Sequence, residues 1–294
     1  MNSCKDNILI LGSNGLLGSK ASIALNNKEN NLFLHTRNPD SKCYSDLTDL
    51  IQVKKLWDHV DPQVILNCVA LTDVERCENI YDAYQVNVKT TENIVDVMLN
   101  NNKNSYLLHI STDHIYDDVS KYNCESDVNL KNYYAFSKYT SEKVAQLVPS
   151  CILRTNFFGK SLIKNRVSFT DWILTKIMAE EQIIAFDDIY FNPLSMTTLI
   201  KKLDTIKNTR LEGVFNLGAK DAMSKADFIF SFAEEMSLPT KNIKKCSIDQ
   251  VDFIKTYRPK GMQMDVNKIE HALSAAQPLL ADEIKLVAQE YRNE

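Results

Sequence analysis

The sequence predicts a doubly wound α/β fold: a parallel sheet covered by helices on both faces, with a second, smaller α/β lobe. Two observations carry this. Short, nearly continuous apolar runs alternate with amphipathic helical stretches through the first half of the chain, and strands buried on both faces read in this continuous way. Three glycines at three-residue spacing stand between the first apolar run and the first helical stretch. With 294 residues, the chain has room for one large domain or two that share a core.

The elements follow in order. "NILILG" (7–12) is a strand, "LLGSKASIALNN" (16–27) a helix, "NLFLHT" (31–36) a second strand, and the beginning of "CYSDLTD" (43–49) a third. "LTDLIQVKKLWDHV" (47–60) has helical periodicity and stops at "DPQ", where proline cannot continue a helix. "VILNCVA" (64–70), a long helical segment over 78–102, "YLLHIST" (106–112), a helix over 133–148 and "CILRTN" (151–156) continue the alternation. Beyond residue 158 the rhythm loosens. "SFTDWILTKIMAEE" (168–181) reads as a helix and "QIIAF" (182–186) as a strand. "SMTTLIKKLDTIKN" (195–208) and "GVFNLGA" (213–219) read as one more helix and strand of the main sheet, with later helices at 224–236 and 279–292. The expected division puts one domain at 1–158 plus about 195–220. A second lobe, at about 159–194 and 221–294, is interleaved with it.

Composition removes several function classes. Apolar residues at 44%, charged residues at 24% and a net charge of −4 are ordinary globular values with no basic stripe for nucleic acid. The start "MNSCKDNILILG" lacks a basic region followed by a long apolar run, and no apolar stretch approaches the roughly 18 residues of a membrane span. Neither a signal peptide nor a membrane span is expected, which suggests a cytoplasmic location. The seven cysteines are scattered and never spaced C-x-x-C, and Cys68 and Cys151 fall in strand-like runs. Reduced structural thiols and no metal are the expectation. The five histidines show no ligand spacing either, and "NNNKN" (100–104) reads as a solvated helix end.

"ILILGSNGLLGSK" places Gly12, Gly15 and Gly18 at the strand-to-helix turn. Glycines there permit a tight turn, close approach of backbone to a pyrophosphate, and close helix–strand packing. The turn and first helical residues Asn14, Leu16 and Leu17 would offer backbone N–H groups to the phosphates at a positive helix end. The chain has only seven glycines against a usual share of ~7%, so turns alone rarely produce such a triplet. A Rossmann-type dinucleotide site follows. The second strand ends in "HTRN", without the acidic residue that usually binds the ribose 2′-hydroxyl of NAD. Arg37, after Thr36, instead offers a cation to a 2′-phosphate. NADP(H) is therefore the preferred cofactor, with NAD(H) the weaker option. Asp46 and Leu47 would lie beside the adenine.

"YYAFSKYTSEK" (133–143) holds a tyrosine with a lysine four residues on, twice: Tyr134/Lys138 and Tyr139/Lys143. Such spacing puts each pair on one side of a helix. It does not say which pair, if either, does chemistry.

Together these features resemble the extended short-chain dehydrogenase/reductase family, and most closely its dTDP-4-dehydrorhamnose reductase group. "PQVILNCVALTDVERCE" (62–78) is similar to that group's PDVIINxAAxTxVDxAE segment, "ISTDHIYDD" (110–118) to its STDYVFDG, and "YAFSKYTSE" (134–142) to its YGxTKxxGE. "ILRTNFFG" (152–159) and, more loosely, "FDDIYFNPLS" (186–195), "GVFNLGAKDAMSKADF" (213–228) and "RP" (258–259) extend the likeness over nearly the whole chain. Ala135 and Ser141 stand where the group has glycines. The resemblance implies a catalytic set of Thr112, Tyr134 and Lys138, making Tyr139/Lys143 an accidental echo. It further implies that Cys68, Val69, Ala70 and Asn87 adjoin the cofactor, as Tyr134 and Lys138 do. Leu71, Thr72, Asp113, Asn156, Phe157 and Phe158 would contact substrate, with core packing an equal reading for the two phenylalanines. His114 reads as a wall residue.

The chemistry implied is hydride delivery to a ketone with a proton from Tyr134. A free phenol titrates near ~10, and a lysine one turn away with a bound nicotinamide cation would lower that value. Lys138 would also bind the nicotinamide ribose, and the Thr112 hydroxyl would polarise the carbonyl. The implied substrate is a nucleotide-linked 4-keto sugar, with a homodimer left open. Two alternatives stand beside this: an epimerase or dehydratase of the same superfamily, and a non-catalytic cofactor-binding subunit resembling the β subunit of methionine adenosyltransferase. Dehydratases carry Thr-Asp-Glu where this chain has Thr112-Asp113-His114, which weighs against elimination.

Overall fold

A computed structural model describes residues 5–27, 30–101 and 104–293. The chain divides into two units. One comprises Met1–Ser111, Asn132–Leu153 and Ile200–Val214, the other Thr112–Lys131, Arg154–Leu199 and Phe215–Glu294. The second is nearly as long as the first.

The first unit runs β1 (Asp6–Leu11), α1 (Leu16–Ala24), β2 (Asn30–His35), α2 (Leu50–Val60), β3 (Val64–Asn67), α3 (Ile80–Ala83), a π-helical stretch (Tyr84–Lys89), α4 (Thr90–Asn100), β4 (Tyr106–Ile110), α5 (Tyr133–Ala145) and most of β5 (Ser150–Thr155). The sheet order is β5-β4-β3-β1-β2, with Gly213–Leu217 beyond β5 as the sixth strand. The pairs β1–β2, β1–β3, β3–β4 and β4–β5 are parallel. Every residue of β3, β4 and β5 is buried, which is why these strands read as unbroken apolar runs. Leu9, Leu11, Ile65 and Leu107 of the sheet pack with Val53, Leu56 and Trp57 of α2 and with Ile94 and Met98 of α4.

The strand expected at the beginning of 43–49 does not form. Only an isolated pairing of Thr36 with Tyr44 remains. Asp46 accepts from the Thr48 N–H at 2.9 Å and its hydroxyl at 2.8 Å, a local turn that competes with a strand ladder. The long helical segment over 78–102 is interrupted by the π-helical stretch. At its end the Asn100 and Asn101 amides donate to Asp96 O and Val97 O. Residues 102–103 of the Asn-rich tract lie outside the described residues.

The second unit contains β6 (Phe157–Phe158), α6 (Phe169–Met178), β7 (Ile183–Phe186), β8 (Tyr190–Phe191), β9 (Leu194–Ser195), the start of α7 (Met196–Thr209), most of β10 (Gly213–Leu217), β11 (Met223–Ser224), α8 (Lys225–Glu235), β12 (Ile243–Cys246), α9 (Asn267–Leu273) and α10 (Leu280–Arg292). "QIIAF" forms β7 as expected, but it pairs in parallel with β12 in a two-stranded ladder rather than joining the central sheet. Phe158, Phe169, Phe191 and Phe228 form an aromatic core, with Phe158 edge-on to Phe228 at 4.8 Å.

No disulfide joins the cysteines among the described residues, and Cys4 lies outside them. No group of His, Cys, Asp and Glu among the described residues could hold a metal ion. No described helix is long and apolar enough to cross a membrane.

Candidate active site

The cradle is built from the strand-end turn. Gly12 has φ +77°, and a Cβ there would lie 3.2–3.3 Å from Val69 and the Cys68 backbone. Only glycine takes that conformation at little cost. A Cβ on Gly18 would lie 2.3 Å from Gly12 O, so Gly18 exists for packing of the helix on the turn. Gly15 differs. It has ordinary extended geometry, it precedes α1 without a side-chain cap, and an added Cβ would meet only Gly12 O at 3.2 Å. The first N–H groups of a helix have no intrahelical acceptor, so this opening presents donors to a ligand. Asn14 is exposed, Leu16 is half-buried and Leu17 is buried.

At the end of β2, Thr36 accepts from Asn38 N–H at 2.8 Å, and Arg37 is exposed. His35, which sequence reasoning passed over, ties the region together. Its buried ring has Nε2 2.9 Å from Ser45 O, and Gly12 N–H donates toward its Nδ1 at 3.5 Å. Burial above all, with Arg37 assisting against the Ser45 and Asp46 contributions, lowers its pKa. The Leu47 side chain belongs to the core with Leu9 and Val53, whereas Asp46 is exposed.

Tyr134 and Lys138 lie on the buried side of α5, 7% and 2% exposed. Tyr134 packs with Leu71, Val74, Cys77 and Ala83. Lys138 Nζ donates to Ile110 O, the last carbonyl of β4, at 2.7 Å. Burial pushes the Lys138 ammonium down to about 8, with Glu142 and Cys68 opposing. Burial pushes the Cys68 thiol up to about 12, with Lys138 opposing. Val69 and Ala70, which follow Cys68, are half-buried. Asn87 has its amide engaged: Leu71 N–H donates to it at 2.7 Å, and it donates to Leu71 O at 3.1 Å and to the Ser137 hydroxyl at 2.9 Å. It fixes the backbone beside Tyr134 and the residue before Lys138. Thr72 is exposed.

Behind Lys138 lies a buried polar chain absent from the sequence reading. Asn67 faces His109 Nδ1 at 3.2 Å, and His109 Nε2 faces the Ser141 hydroxyl at 3.1 Å. The Ser111 hydroxyl donates to Glu142 at 2.5 Å. Polar residues inside apolar strand and helix patterns were the available signal.

In the second unit, the buried Thr112 caps a short turn, its hydroxyl accepting from His114 N–H at 3.2 Å and donating to Asp113 at 3.3 Å. Asn156 donates to Asp113 at 2.7 Å. Burial raises Asp113 to about 6, against Asn156, Lys225 and Thr112. Burial, with Lys225 and Arg258, takes the His114 imidazole down to about 3, which favours the neutral ring. Phe158, 2% exposed, packs in the aromatic core, the core-packing reading of the two, while Phe157 is half-buried. Lys225 was missed; its signal is a cation at the first position of α8 after the cap Ser224, against the helix dipole.

A glycine cradle at the first strand–helix turn of a parallel sheet, with a buried tyrosine–lysine pair, defines an α/β dinucleotide-binding protein of the short-chain dehydrogenase/reductase type. The chain belongs to the RmlD substrate binding domain family, which matches residues 6–293. It is 25% identical over 287 residues to the probable low-salt glycan biosynthesis reductase Agl14 of Haloferax volcanii, covering 94% of this chain and 95% of that one. It is 29% identical over 242 residues to the dTDP-4-dehydrorhamnose reductase of Aggregatibacter actinomycetemcomitans, covering 77% and 81%. The crystal structure of the dTDP-4-dehydrorhamnose reductase of Bacillus anthracis in complex with NADP has the same fold, with a TM-score of 0.86, 22% identity, and coverage of 98% and 100%.

Proposed function

We propose that this protein is an NADP(H)-dependent reductase of a nucleotide-linked 4-keto sugar. The observation that carries the reading is the Tyr134/Lys138 pair, buried on α5 with the ammonium fixed to Ile110 O at 2.7 Å, in the same unit as the glycine cradle.

The cradle fits a dinucleotide. Gly15 puts no side chain at an uncapped helix start, where backbone donors and the helix dipole favour a pyrophosphate. Arg37 would take the 2′-phosphate, and Lys138 the ribose of the nicotinamide end. NADPH, when bound, supplies the hydride. Tyr134 supplies the proton to the forming alkoxide, since a general acid must stand within hydrogen-bond reach of the atom that gains charge. Lys138 favours the phenolate left behind by opposite charge. The Thr112 hydroxyl polarises the ketone, and Asp113 and Asn156 hold the sugar end. The first unit is thus the dinucleotide-binding part and the second the substrate-binding part.

The test is NADPH oxidation followed at 340 nm against a panel of nucleotide-linked 4-keto sugars. Turnover of at least one supports the reading, and no turnover with tight NADPH binding overturns it.

A further inference from the structure

We propose that Glu142 is a positioning residue for the reaction, the buried counter-ion that keeps the Lys138 ammonium charged and in place. This rests on the reductase reading for its purpose, though not for its test.

Glu142 lies one helical turn beyond Lys138 on α5, and such neighbours share a helix face. Its side chain is completely buried. A buried carboxylate is costly unless it is paired and hydrogen-bonded. Here the Ser111 hydroxyl holds one carboxylate oxygen at 2.5 Å. Ser111 follows Ile110, whose carbonyl holds the Lys138 ammonium at 2.7 Å. Two successive residues at the end of β4 therefore grip the two charged side chains, one each. The ammonium is given a neutral acceptor, which does not balance its charge.

The other titratable groups acting on Lys138 do not balance it either. Cys68 is kept a neutral thiol by burial. His109, on β4, is driven well below its ordinary value, first by burial and then by Lys138 itself, and is a neutral ring between Asn67 and Ser141. Tyr134 stands one turn earlier on α5 and is the proton donor of the reaction. The counter-charge falls to Glu142, which opposes the loss of Lys138's proton. An uncharged lysine would neither bind the ribose as a cation nor stabilise a phenolate.

The decisive measurement is the titration of Lys138 in protein without cofactor, by 15N NMR of lysine side chains, with Lys138→Met identifying the resonance. Glu142→Gln keeps an oxygen for the Ser111 hydroxyl and removes only the charge. It should lower the Lys138 midpoint by at least about one pH unit, tenfold in acidity. An unmoved midpoint would overturn the proposal. If Glu142→Gln does not fold, the double variant decides. Removing one member of a buried pair leaves the other uncompensated, so Lys138→Met/Glu142→Gln should unfold at a higher temperature than Lys138→Met. A double variant no more stable than Lys138→Met, or unfolded, would also overturn it. Neither readout involves a substrate, so a protein that reduced no ketone could still show the coupling, and the two readings fail separately.

Discussion

Tyr134 and Lys138 lie on the buried side of α5, and five residues further on the same pair of side chains is half-buried at Tyr139 and exposed at Lys143. The buried lysine has traded water for one backbone carbonyl. Lys143, exposed, instead stands over the ring of Tyr139 at 4.6 Å from its centre, a contact worth about 0.5–1 kcal/mol at an exposed site. Spacing is identical, and the two lysines have opposite surroundings. The lesson is that i, i+4 spacing places two side chains on one face, while what lies under that face decides whether they can do chemistry. Burial lowers the proton affinity of the Lys138 ammonium, here to about 8.

The comparison breaks most sharply at Tyr134. Tyr134→Phe removes one oxygen, so the fold and NADPH binding should survive, while ketone reduction should fall by about 10²–10⁴, the usual scale of lost acid–base catalysis. Steady-state kinetics beside calorimetric binding checks this. Unchanged turnover would move the proton donor elsewhere.

A second contrast lies within the cradle. Gly15→Val puts a Cβ 3.2 Å from Gly12 O at the start of α1, a single and milder contact than that at Gly18, so the protein should stay folded and lose most of its NADPH affinity. Gly18→Ala drives a carbon to 2.3 Å from Gly12 O. Overpacking of this kind costs about 1–3 kcal/mol or more, so here the melting temperature should fall first. Calorimetry and thermal unfolding on both variants separate the ligand glycine from the packing glycine. If Gly15→Val bound NADPH normally, the turn would not be the pyrophosphate site.

Arg37 gives a smaller effect. Losing a charge-assisted contact to the 2′-phosphate should cost about 1.5–3 kcal/mol for NADPH, with NADH affinity nearly unmoved in Arg37→Ala. Equal losses for both cofactors, measured by the same titration, would show that Arg37 supports the loop instead.

How much of this could be read from the residues follows from range. The cradle and β3 to β5 were legible because glycine spacing and continuous apolar runs are local signals. The tyrosine–lysine register was not local. It came from likeness to a family, and it falls on the pair that is buried, Tyr134 and Lys138. The third strand was wrongly expected because the beginning of 43–49 looked strand-like, yet Cys43 is anchored in the core while Asp46 turns the chain. Glu142 was invisible as a partner. A glutamate in a helix reads as solvated, and only the packing of α5 on β4 brings it to Ser111. Phe158 was ambiguous for the same reason, since its aromatic neighbour Phe228 comes from α8, far along the chain.

The smallest expected effect is the internal control. Tyr139→Phe removes a hydroxyl from the second pair, and the ring that Lys143 covers remains. Cation–π attraction depends on the ring face rather than on that oxygen. Turnover should therefore change by less than about threefold, a free-energy difference below ~0.7 kcal/mol, and NADPH affinity should not move. Kinetics on Tyr139→Phe and Tyr134→Phe, prepared together, make the comparison quantitative. If Tyr139→Phe were the crippled variant and Tyr134→Phe the silent one, burial would have pointed to the wrong pair and the register would be five residues out. If both were silent while the wild type bound NADPH tightly and reduced no keto sugar, the pair would be a relic. The non-catalytic cofactor-binding subunit would then become the better description.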